Sequence, residues 1–109
     1  MSNRYNIDFS AWAGSDLDEI AVYIAEHDTV NRAVQIYQKI KSKILTLTEF
    51  PEQGRIVPEL KEISIHNYRE IICHPYRIIY QIIDKTVFIM AVFDGRREID
   101  EALYQRIAI

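Results

Sequence analysis

The chain has 109 residues, 49% of them hydrophobic and 27% charged, and 13 Lys and Arg against 16 Asp and Glu leave a net charge of −3. These proportions exclude a disordered, collagen-like or low-complexity chain, and no run approaches the ~20 apolar residues that a membrane-spanning helix needs. A dedicated polyanion binder usually carries a basic excess, so the net charge argues against nucleic acid as the main partner. The length accommodates one domain, residues 1–109. Residues 1–54 hold five basic and eight acidic side chains, whereas residues 55–109 hold eight of each, and six of those eight basic residues are Arg. Arginine forks onto carboxylate or phosphate, so the second half is the place to look for contacts of that kind. The single cysteine, Cys73, excludes an intrachain disulfide and a Cys-based zinc site. No basic stretch followed by an apolar run marks a signal peptide, and a cytoplasmic location is expected.

Residues 4–9 alternate, with Tyr5, Ile7 and Phe9 on one face, which predicts a half-buried strand. Ser10 offers an N-cap and Ser15 with Asp18 a weaker one. Ala13, Leu17, Ile20, Ala21 and Ile24 then recur at helical spacing, with Asp16, Asp18, Glu19 and Glu26 elsewhere on the wheel. Asp28 or Thr29 can cap a second helix, whose stripe is Ala33, Ile36, Tyr37, Ile40, Ile44 and Leu47 and which Pro51 bounds. The pair predicts an antiparallel helical hairpin. From Pro51 to Asn67 no period is visible. Tyr68–His74, Tyr76–Ile83 and Val87–Phe93 are rich in Ile, Val, Tyr and Phe and read as strands. Their short connections make them an antiparallel meander. A short helix over Glu98–Ile107 closes the chain, with Ile99, Ala102, Leu103 and Ile107 on one side. The expected class is α+β, with helices laid on one face of a small, mostly antiparallel sheet.

The residues narrow the chemistry. His27, His66 and His74 are scattered and none sits at metal-ligand spacing, so neither metal nor cofactor is expected. No serine lies in a glycine-flanked elbow, and Cys73, inside an Ile-rich strand, reads as a buried thiol. The glycines are too few for a phosphate loop. What remains is arginine on the strands: Arg69 and Arg77 interrupt apolar runs, Arg96 and Arg97 follow the third strand, and Tyr104 lies on the last helix. Several arginines with a tyrosine or histidine could hold an RNA phosphate and the charge of its transition state. The same pattern arises if the arginines pair with nearby Glu70, Asp94, Glu98 or Asp100. Both readings stand at this level.

Taken in order, several segments resemble those of a known family. They are residues 16–20 with Tyr23-Ile24-Ala25, then Pro51-Glu52-Gln53-Gly54-Arg55, Tyr68-Arg69-Glu70-Ile71, Tyr76-Arg77-Ile78-Ile79-Tyr80, and the run from Ala91 to Arg97. The set is similar to the RelE/ParE superfamily of toxins from type II toxin–antitoxin, or plasmid-stabilisation, modules, over residues 4 to 106. The resemblance implies a cytoplasmic toxin held inactive by a cognate antitoxin protein whose flexible segment wraps helices and sheet, leaving apolar patches on the free toxin. It also implies one of two targets. ParE-like members inhibit DNA gyrase without being nucleases; RelE-like members cut messenger RNA on the ribosome. The long hairpin, the Pro51–Arg55 stretch and the negative charge favour the ParE-like, gyrase-directed alternative. In the RelE-like alternative the matching catalytic positions are Arg77, Arg97 and Tyr104, with Arg69, His74 and Arg96 secondary, although Glu70 and Ile71 stand where nuclease members carry lysines. A third possibility is an inactive, toxin-like interaction module.

Overall fold

A computed structural model describes residues 4–107. Strand β1 (Asn6–Phe9) leads into helix α1 (Ala11–His27) and helix α2 (Val30–Leu45), which ends in a single 3-10 turn over Thr46–Thr48. There follow β2 (Arg55–Ile56), α3 (Pro58–Lys61), β3 (Arg69–Cys73), β4 (Tyr76–Ile83), β5 (Thr86–Asp94) and α4 (Asp100–Ile107). The five strands form one sheet in the order β1-β5-β4-β3-β2, with β1 parallel to β5 and every other pair antiparallel. The expected α+β architecture is therefore present. To it the structure adds β2 and α3, each too short to leave a period in the sequence.

The caps explain where the hairpin starts. The Ser10 hydroxyl accepts the Ala13 N–H at 3.0 Å and Thr29 accepts the Arg32 N–H at 3.0 Å. Each satisfies a backbone donor that a first helical turn leaves open. Ser15 lies inside α1 and caps nothing there. Ser10 has a second task. Met90 is an extra residue in β5: Ile79 pairs with Ala91 and Tyr80 with Ile89, so Met90 and Ala91 turn to the same face. The Ser10 hydroxyl donates to the Met90 carbonyl at 2.9 Å, and its N–H to the Ile89 carbonyl at 2.9 Å. The bulge thus seats the start of α1 on β5.

Two cores sandwich the sheet. Leu17 of α1 and Ile40, Ile44 and Leu47 of the second helical segment pack on Ile71, Cys73, Ile78, Tyr80, Val87 and Ile89. On the opposite face Val57 and Leu60, with Ile99 and Leu103 around α4, pack on Ile79, Met90 and Ala91. Not all helices lie on one face, then. The meander is apolar on both sides, and α3 and α4 cover what the hairpin cannot reach. Phe9, expected inside, is 41% exposed at the point where β1 turns into α1, whereas Tyr5 and Ile7 do pack on the core.

Candidate functional site

Alternation along β4 sends Tyr76, Ile78 and Tyr80 toward the hairpin and Arg77 to the other face, next to Glu70 of β3. The Glu70 side chain is fully buried. One of its oxygens accepts from Arg77 Nε at 2.7 Å and the other from Arg55 Nε at 2.7 Å. Glu59 of α3 receives the fork of Arg77, Nη1 and Nη2 each at 2.7 Å. All three guanidinium nitrogens of Arg77 therefore donate to carboxylates. The hydrogen bonds from Arg77 hold Glu59 below the ordinary carboxylate range against the opposing effect of burial. Reciprocally, Glu59 first and Glu70 next strengthen the protonation of Arg77. Arg55, Arg77, Glu59 and Glu70 sum to zero charge. Around Arg77, the arrangement is the arginine–carboxylate pairing left open by the sequence.

Arg69 faces the other way. Its guanidinium donates to the Gly54 carbonyl at 2.7 Å and to the Glu52 carbonyl at 3.4 Å. The Tyr80 hydroxyl donates to the Pro51 carbonyl at 2.7 Å and accepts the Gly54 N–H at 3.0 Å. A Cβ on Gly54 would lie 2.5 Å from the Glu70 carbonyl oxygen and 2.6 Å from the Tyr80 hydroxyl, so no larger residue fits. The Pro51–Gly54 part of the motif is thus a loop tied to β3 and β4 by Arg69 and Tyr80, and Arg55 opens β2.

Tyr104 sits half-buried on α4 beside the Ile79–Leu103 core. Desolvation, followed by the charges of Asp100, Glu62 and Glu59, pushes its phenol above the usual tyrosine range. It shares the acid Glu59 with Arg77, and acids disfavour the phenolate a base would require.

His74, Arg96 and Arg97 lie elsewhere. They line a groove of about 880 Å³ between α1, α2, the β3–β4 turn and the chain leading into α4. Its floor includes Ile20, Ile36, Tyr76 and Val92, and neither Arg77 nor Tyr104 belongs to it. Arg96 forks onto Asp94 at 3.0 and 2.7 Å, and it, His74 and Arg97 are all exposed. The six positions singled out in the sequence therefore divide between a paired cluster around Arg77, the loop tie at Arg69, the half-buried Tyr104 and the groove mouth.

Sequence reasoning missed one polar centre. Asp16, placed there outside the apolar stripe, is buried. It accepts both Nη atoms of Arg106 at 2.7 and 2.9 Å and the Val92 N–H at 2.9 Å. Arg106 also lies over the Phe93 ring at 4.7 Å and the Trp12 ring at 5.6 Å. The pair ties α1 to β5 and α4. The available signal was angular: Asp16 falls about 40° from Ile20 on the wheel, at the margin of the stripe. Among the described residues no cluster of His, Cys, Asp and Glu could hold a metal ion, and no helix is long and apolar enough to cross a membrane.

This architecture, a strand, a helical hairpin and a meander closed by a C-terminal helix, is shared with chains of solved toxin–antitoxin systems. In the chromosomal ParDE system from P. aeruginosa, one chain superposes with TM-score 0.70 at 18% identity, over 85% of this chain and 98% of that one. E. coli toxin RelE, as an arginine-to-alanine double mutant in the free state, gives 0.65 at 19% identity over 96% of each chain. A chain of the RelBE2 toxin–antitoxin complex from Mycobacterium tuberculosis gives 0.54 at 20% identity, over 84% of this chain and 98% of that one. No curated protein sequence matches. The family model described as "ParE toxin of type II toxin-antitoxin system, parDE" matches residues 7–99. The chain belongs to that family, within the RelE/ParE superfamily of type II toxins.

Proposed function

We propose that this toxin acts in the cytoplasm as a ParE-like inhibitor of DNA gyrase, is neutralised by a cognate antitoxin, and is not a nuclease. The observation that carries the reading is the state of Arg77 and Tyr104. A nuclease needs a guanidinium open to the scissile phosphate and a proton acceptor whose pKa approaches the working pH. Here Arg77 gives its three nitrogens to Glu59 and Glu70, and desolvation with the nearby acids moves the Tyr104 phenol up, away from the working pH. The ParE family match supports the same side. The toxin would present its hairpin and C-terminal segment to gyrase and hold the enzyme with its DNA cut. The antitoxin would cover the groove and the exposed apolar side chains of the hairpin, among them Tyr23 and Val34.

One observation favours the RelE-like alternative: His74, Arg96 and Arg97 line a single groove, where an RNA phosphate could meet Arg97 with His74 as the proton carrier. Parallel assays separate the two. Purified toxin is added to gyrase with supercoiled plasmid and, separately, to ribosomes programmed with message. Linear plasmid trapped on gyrase with intact message is the expected result; cut message with unaffected plasmid refutes it. Neither effect, and no growth arrest on expression without antitoxin, would mark an inactive interaction module. Tyr104→Phe should retain full toxicity under the gyrase reading and lose it under the alternative that uses Tyr104.

A further inference from the structure

Helix α2 carries four cations, Arg32, Lys39, Lys41 and Lys43, and no acid. In a chain of net charge −3 this leaves −7 for the rest, so one helix departs from the balance of the whole. The helix buries Ala33, Ile40 and Ile44 against the sheet. At about 100° per residue Asn31, Gln35, Ser42, Lys39, Arg32 and Lys43 fall within an arc of about 120° that runs from the face opposite this core round to the side beside Ile36, with the exposed Val34 and Leu45 beyond its other edge. The first five are exposed and Lys43 is half-buried. Each of the six can donate a hydrogen bond, and none is a carboxylate or an apolar anchor. Arg32, Lys39 and Lys43 run down one line of this face over roughly 16 Å at 1.5 Å per residue. Among the described residues no carboxylate forms an ion pair with any of the three. Glu19 and Asp28, which share the groove wall with Arg32 and Lys39, leave them unpaired too.

We propose that this face of α2 is a docking strip for the phosphate backbone of double-stranded DNA. Lysine and arginine with Asn, Gln and Ser are the side chains that contact phosphate oxygens. A protein partner would be expected to bring apolar anchors to the centre of its contact, and the arc itself holds no apolar side chain, although Arg32 and Lys39 also border the groove assigned above to the antitoxin. Single-stranded nucleic acid is held largely by stacking on aromatic rings; the one aromatic residue of α2, Tyr37, lies on the core side. Duplex DNA carries about one charge per 1.7 Å of axis, so a line of roughly 16 Å meets more than enough phosphates for three cations. The strip gives the toxin a weak, sequence-independent hold on DNA, whichever target it acts on.

The test uses purified full-length toxin and a fluorescent 20-base-pair duplex, without gyrase or ribosome, so it fails or succeeds separately from the gyrase reading. With three phosphates neutralised, affinity should fall about 40-fold between 50 and 200 mM salt. Arg32→Gln, Lys39→Gln and Lys43→Gln should each reduce the salt slope by about 1, and the triple variant should lose binding while keeping its circular dichroism spectrum and melting temperature. Lys41→Gln, on the other side of the helix, should leave the slope almost unchanged. Three results overturn the proposal: no duplex binding at 50 mM salt, a triple variant or three single variants with the wild-type slope, or tighter binding of a single-stranded RNA or a poly-glutamate peptide of matched charge.

Discussion

Replacing Asp16 by Ala removes one carboxylate and strands two partners. Arg106, its side chain 17% exposed, loses the carboxylate it forks onto and stays between Trp12 and Phe93 as an uncompensated charge among the described residues. The Val92 N–H loses its acceptor at a point where β1 has already ended and offers no replacement. Breaking a buried ion pair from one side costs about 3–5 kcal/mol, and a buried N–H left without a partner about 1–3 kcal/mol. The two losses overlap, and the partial exposure of Arg106 admits water, so the net is set near the lower end, about 3 kcal/mol. For a chain of this size that lowers the melting temperature by roughly 12 °C. Thermal and urea unfolding followed by circular dichroism measure it. The variant Arg106→Met keeps packing against both rings and removes the stranded charge. Asp16→Ala/Arg106→Met should therefore be more stable than Asp16→Ala alone, with a coupling of about 0.5–3 kcal/mol. A fall of less than about 4 °C for Asp16→Ala, or strict additivity of the two substitutions, would refute the claim that this pair holds α1 to α4.

Two further outcomes follow from the same geometry. Tyr80→Phe removes the hydroxyl that bridges Pro51 and Gly54, leaving the buried Gly54 N–H without an acceptor; it should lower stability by about 1–3 kcal/mol in urea unfolding, and wild-type stability would contradict the role given to the 51–54 loop. Glu59 supplies a pH test. Its pKa is lowered from 4.5 in the folded state by Arg77, so its stabilising contribution is fully present above about pH 4.5 and is lost as the pH falls through the lower folded value. Melting temperatures from pH 6 to pH 3 should fall less steeply for Glu59→Gln than for the wild type; parallel curves would show that Arg77 does not hold Glu59 ionised.

The elements visible in the sequence were those whose burial repeats. The hairpin stripe from Ala33 to Leu47 is legible because one face meets the core at each turn, and the strands around Ile71, Ile78 and Val87 because burial on both faces fills them with Ile, Val, Tyr and Phe. β2 and α3 were not: Arg55–Ile56 and Pro58–Lys61 span only about one period each, too little to repeat, and they exist because Arg55 pairs with Glu70 and Leu60 plugs the second core. The site divided in the same manner. The sequence pointed to arginine on the strands and named Glu70 and Asp94 as neighbours, but Glu59, eighteen residues before Arg77, was not among them.

By itself, then, the sequence determined the class, the order of the main elements, the family resemblance and the concentration of arginine in the second half. These are consequences of local spacing and composition. The tertiary structure alone decided which arginines are paired, because ion pairs join residues that the sheet brings together across 7, 18 or 90 positions. It also decided which side of α2 meets solvent. Net charge is a sum over the chain, and only packing shows that a protein of −3 turns a strip of unpaired cations outward.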